Sequence, residues 1–187
     1  EMLALIPDVE VFHKAVDWAL RYDEFFDASQ VAQARDLLRQ GHERTSQLSQ
    51  GDTPWLDATG LVIRGYRSKL DDSIQPYAVV VPATWKRHDA GQPVRRLDVV
   101  LPGRNEMRSE LAFIVERGKS AGDIVPAETI ILHPYGRYCN ATKFAGEVDV
   151  FEALAAVRHN YGPTRDTVVR GFSMGGASAW HLAAHHP

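Results

Sequence analysis

Residues 171–175 read Gly-Phe-Ser-Met-Gly and directly follow Thr167-Val168-Val169-Arg170, a run rich in β-branched side chains. A strand is expected to turn sharply here, at the pattern G-x-S-x-G. The residues after the turn, Gly176-Ala177-Ser178-Ala179, are small enough to let a helix pack close to a sheet. A serine at the tip of such a turn occupies a sparsely populated backbone conformation that costs about 1–3 kcal/mol. The positions two before and two after it are crowded and favour glycine, which has no Cβ. Here they are Gly171 and Gly175. The pattern therefore predicts strand, turn and helix, and offers Ser173 as a nucleophile.

The periodicity before that point divides in two. Residues 8–41 read as two helices. Asp8 is placed to cap the first, with Val9, Phe12, Val16, Ala19 and Leu20 on one apolar face. Ser29 is placed to cap the second, with Val31, Ala34, Leu37 and Leu38 facing inward and Gly41 as its stop. Residues 42–54 are polar, end in Gly51-Asp52-Thr53-Pro54, and read as a linker.

From Trp55 the period changes. Residues 61–67 and 77–81 read as strands around the turn Asp71-Asp72-Ser73, which predicts a hairpin. A third strand is expected over 96–101, a helix over 107–117 ending at Gly118, and a strand over 129–132. Val150, Ala153, Leu154, Val157 and Tyr161 share one face of a helix over 147–161, whose first turn carries Glu147 and Asp149. Gly162-Pro163 ends that helix. Alternating helices and continuously apolar strands argue for a mostly parallel sheet covered on both faces, an α/β fold.

Composition excludes some functions. At net charge −3 nothing draws the chain to nucleic acid, and no apolar run approaches the roughly 20 residues of a membrane span. The 44% hydrophobic and 24% charged content is that of a soluble globular chain. No signal peptide is visible; the chain opens at Glu1 rather than methionine, so a leader is either removed, as in a secreted or periplasmic protein, or simply not included. Cys139 is the single cysteine, so no internal disulfide forms, and it reads as a packing residue or bystander, rather than a nucleophile, in a loop after a strand. His181 and His185 have metal-ligand spacing without the glutamate or third ligand of a zinc motif. No metal and no cofactor are expected.

This order of parts resembles the α/β-hydrolase superfamily, and more narrowly its prolyl-oligopeptidase-like and esterase-like serine hydrolases. The resemblance rests on six stretches. They are Tyr66 to Asp71, Gln75-Pro76-Tyr77, Leu97 to Arg104, Leu132 to Arg137, Gly146 to Val150, and Gly171 to His181. It spans residues 60–187 and divides the chain into a helical segment with linker, 1–54, and a hydrolase domain, 55–187. It implies an oxyanion hole of two backbone N–H groups. One belongs to Met174 and the other to Arg104 or Gly103, in a loop where relatives often read His-Gly-x and this chain reads Pro102-Gly103-Arg104. Tyr135, Arg137 and Tyr138 follow one strand and are candidates to touch substrate.

In this family the triad acid and histidine follow the serine along the chain. Both are expected downstream of Pro187, which makes the hydrolase domain incomplete, truncated after the elbow helix, and the chain alone inactive. Of the histidines present, His133 is the one candidate base, at the carboxyl end of a strand, where sites in open α/β sheets lie. The expected function is cleavage of small ester or peptide substrates through an acyl-enzyme on Ser173. Two other readings stay open: an inactive binding scaffold, and an acyltransferase on the same elbow.

Overall fold

The computed structural model describes residues 2–87 and 94–186. Two helices, α1 (Ile6–Arg21) and α2 (Ser29–Ser49), precede five strands and three further helices. These are β1 (Gly60–Arg67), β2 (Ile74–Val81), β3 (Val94–Leu101), α3 (Glu110–Arg117), β4 (Thr129–Pro134), α4 (Ala145–Tyr161), β5 (Thr164–Gly171) and α5 (Met174–His185). The strands form one sheet in the order β1-β2-β4-β3-β5. β3 pairs in parallel with both β4 and β5. β2 is antiparallel to both β1 and β4, so β1 points the same way as the parallel three. The chain is thus a mixed α/β fold with a mostly parallel sheet.

Alternation along the strands splits the core in two. Tyr77, Val79 and Val81 of β2, Leu97 and Val99 of β3, and Leu132 of β4 face α4 and α5, where Val150, Ala153, Val157 and Leu182 meet them. On the opposite face Ile63, Ile74 and Ala78 pack against Val11, Phe12 and Ala15 of α1 and Leu111 and Ile114 of α3. β4 and β2 are buried along their whole length, which is why they read as unbroken apolar runs. β5 lies at one edge of the sheet, and its Val168 and Val169 are only half-buried.

The hairpin forms as expected and belongs to the main sheet. The amide of Ser68 donates to the Ser73 carbonyl at 2.8 Å, and Asp71 accepts from the Ser73 amide and hydroxyl. The N-terminal helices differ from expectation in three places. Asp8 does not cap α1, whose N-cap position is Leu5. Its carboxylate is instead buried against Arg64, accepting at 2.8 Å from Nε, and also accepts from Trp55 Nε1 and the Gly65 amide. Ser29 is the first residue of α2, not its cap, and its amide donates to Asp27 at 2.7 Å.

Gly41 does not stop α2, and residues 42–49, read as linker, are helical. A Cβ on Gly41 would stand 3.1 Å from Phe12 Cβ, so this glycine serves the close approach of α1 and α2. The helix expected from residue 107 starts at Glu110, because Ser109 caps it by accepting from the Ala112 amide at 3.2 Å.

Asp8 and Arg64 are 2% and 3% exposed along their side chains. Removing one charge of such a pair strands the other in the core. Asp8→Asn should therefore cost about 3–5 kcal/mol, read from the denaturant midpoint at unchanged slope.

Candidate active site

β5 delivers the chain to the carboxyl end of the sheet, and the turn to α5 follows at once. Ser173 sits at φ 55°, ψ −123°, a left-handed conformation that side chains rarely adopt. The surrounding packing enforces it. A Cβ on Gly171 would meet the Gly175 carbonyl at 2.4 Å, and a Cβ on Gly175 would meet the Leu101 carbonyl oxygen at 2.3 Å. The two glycines therefore let strand and helix close on each other and on the end of β3. The Gly175 amide donates to the Phe172 carbonyl at 2.9 Å, and the Ala177 amide to the Ser173 carbonyl at 3.1 Å. Ser173 itself is exposed, as is Phe172 at 87%.

The loop after β3 runs beside this turn. A Cβ on Gly103 would lie 3.6 Å from the Phe172 carbonyl oxygen, an ordinary contact distance. Among the described residues, the N–H groups of Gly103, Arg104 and Met174 have no hydrogen-bond partner within the chain. The Met174 amide opens a twelve-residue helix, where the dipole favours negative charge. A cleft of about 620 Å³ opens between Arg104, Glu106, Tyr138, Cys139 and Met174. A second cavity of about 650 Å³ reaches Pro102, Gly103, Gly171 and Phe172, and also His133 and Arg170.

The remaining candidates are placed as follows. Tyr135 is 7% exposed, its ring packs on Phe113, and its hydroxyl donates to the Arg108 carbonyl at 3.3 Å. The Arg137 guanidinium is bound by Asp149, Asp71 and Ser68. Glu147, at the start of α4, accepts from His181 at 2.9 Å and His186 at 2.6 Å, whereas Asp149, two residues on, pairs with Arg137. The rings of His181 and His185 lie 4.4 Å apart between centroids, tilted by 57°. Among the described residues no group of three His, Cys, Asp or Glu side chains is placed to hold a metal ion.

Cys139 lines the cleft and packs there, with its Sγ 3.8 Å from Met174 Sδ.

His133 is 5% exposed. Its Nε2 is 3.1 Å from the Ala121 carbonyl and its Nδ1 3.4 Å from Arg117, and among the described residues neither nitrogen hydrogen-bonds to Ser173. Burial, reinforced by Arg117, lowers its pKa from 6.5 to about 4. The ring is therefore neutral near pH 7 and held as part of the fold. Below pH 6.5 the unfolded chain takes up a proton that the folded chain refuses. Stability should fall by about 2 kcal/mol between pH 7 and pH 5, in urea titrations at the two values. His133→Gln should shrink that difference.

The chain matches no family model and no curated protein. It is similar to a solved structure described as the crystal structure of a thermostable esterase, with a TM-score of 0.51 and 18% identity. The match covers 68% of this chain and 38% of the esterase chain. The fold is esterase-like. The chain therefore spans little more than a third of that esterase's length.

Proposed function

We propose that this chain carries the nucleophile half of a serine hydrolase of the α/β-hydrolase type, prolyl-oligopeptidase-like in its sequence, acting on ester or peptide bonds. The observation that carries the reading is Ser173. A non-glycine residue at φ 55°, exposed at the sheet's carboxyl end, is costly to the fold and useful for attack on a carbonyl. In the proposed reaction Ser173 Oγ attacks the carbonyl carbon and its proton passes to a histidine base. The oxyanion that forms is held by the Met174 amide and by that of Gly103 or Arg104. The leaving alcohol or amine takes the proton back, and water then releases the acyl group from Ser173. The acid and histidine belong, in this reading, to sequence beyond residue 187. The esterase-like fold tilts the substrate toward esters over peptides.

An alkyl fluorophosphonate, followed by peptide mapping, tests this. It should phosphonylate Ser173 in the protein with its reading frame continued past residue 187. Absence of label on a folded sample would reject the hydrolase. A second reading, a non-catalytic scaffold, is favoured by one observation: among the described residues no histidine hydrogen-bonds to Ser173. Under that reading the continued protein stays unlabelled.

A further inference from the structure

The loop between β4 and α4 holds five non-glycine residues at positive φ: Arg137 (54°), Tyr138 (75°), Ala141 (56°), Thr142 (54°) and Phe144 (53°). Such conformations persist only where the surroundings over-determine them. Three anchors do so. Asn140 Nδ2 donates to the Gly136 carbonyl at 2.8 Å, and its Oδ1 accepts from the Thr142 amide at 3.0 Å. Ser178 on α5 donates to the Ala141 carbonyl at 2.9 Å. The third anchor is Arg137. Its Nε donates to Asp149 at 2.9 Å, one terminal nitrogen donates to Ser68 at 2.8 Å and to Asp71 at 3.0 Å, and the other donates to the second Asp71 oxygen. One planar guanidinium thus joins the loop to the β1–β2 turn and to the first turns of α4.

The two residues after Arg137 form a wall of the candidate cleft. Tyr138 donates through its hydroxyl to the Glu106 carbonyl, and Cys139 contacts Met174. Both face the segment that carries Arg104 and the start of α5.

We propose that Arg137 is a positioning residue that fixes the β4–α4 loop, and through it holds Tyr138 and Cys139 opposite Met174. Two features separate this from general stabilisation. Among the described residues the guanidinium is the one side chain of the β4–α4 loop that hydrogen-bonds to both the β1–β2 turn and α4, and its planar fork meets two carboxylates with geometry a lysine cannot reproduce. Its carboxylate partners also differ: Asp149 is 1% exposed along its side chain and Asp71 is 44% exposed, so the Asp71 arm can be cut without stranding a buried charge. That the wall faces a substrate rests on the hydrolase reading; that Arg137 sets the wall does not.

The single cysteine supplies a readout independent of catalysis. The rate of Cys139 alkylation by iodoacetamide is measured for the wild type, Arg137→Lys, Arg137→Gln and Asp71→Asn, each across low guanidinium concentrations. Arg137→Gln should raise the rate about tenfold without dependence on denaturant, the signature of local opening. Asp71→Asn should raise it less, and Arg137→Lys should fall between Asp71→Asn and Arg137→Gln. Rates within twofold of wild type in all three variants would overturn the proposal. So would an increase that tracks denaturant with the slope of global unfolding, which would make Arg137 a stabiliser only. If Arg137→Gln does not fold, Asp71→Asn and Arg137→Lys decide by the same criteria. Loss of fluorophosphonate labelling in the wild type would reject the hydrolase reading and leave this one standing.

Discussion

Under the proposed hydrolase reading, Ser173→Ala should abolish covalent labelling by a fluorophosphonate and lower ester hydrolysis, in the protein with its reading frame continued past residue 187, by about five to six orders of magnitude. Loss of the serine in a triad removes the whole covalent route, and only binding and oxyanion stabilisation remain. The structure makes this variant a clean test. The side chain is exposed and makes no hydrogen bond among the described residues, so its loss leaves no buried partner unsatisfied. The backbone strain at φ 55° is the same for alanine as for serine. The unfolding temperature should therefore move by no more than about 2–4 °C, the shift expected for roughly 1 kcal/mol in a chain of this size. A variant that keeps its fold and its hydrolysis would remove Ser173 from the chemistry.

The strand, tight turn and helix around residues 171–175 were legible in the sequence because two requirements fall on single residues. A crowded turn needs Gly171 and Gly175, and a helix docked on the end of a strand needs small residues after it. The hairpin was legible for a similar reason, since Asp71 and Ser73 close a local turn with their own side chains. What was not legible depended on distant partners. Asp8 looks like a cap until Arg64, 56 positions away, comes to its carboxylate. Gly41 looks like a stop until Phe12 of α1 crosses it. Glu147 and Asp149 look alike at the start of α4. The sheet then brings Arg137 to one, and α5 brings His181 to the other. Cys139 carries no local pattern at all, and only the path of the β4–α4 loop brings it to Met174.

The second large effect concerns a residue with no functional atom. Gly175→Ala should destabilise the fold by about 3 kcal/mol or more, lowering the unfolding temperature by roughly 10 °C in calorimetry. Neither Gly171 nor Gly175 has a positive φ, so the requirement is space and not conformational freedom. The new methyl would stand 2.3 Å from the Leu101 carbonyl oxygen and 2.9 Å from that of Pro102, both main-chain atoms that cannot rotate aside. Relief would need α5 to lift from the end of β3. That shift would carry Met174 away from Gly103 and Arg104, the segment proposed to complete the oxyanion hole. Fluorophosphonate labelling should therefore fall in Gly175→Ala even at temperatures where the protein remains folded. Gly176→Ala is the control: its Cβ would meet nothing nearer than the Gly171 carbonyl oxygen at 3.4 Å. That variant should keep both its stability and its label. If Gly175→Ala were as stable as Gly176→Ala, the docking of α5 on β3 would not be what holds Ser173 in its strained conformation.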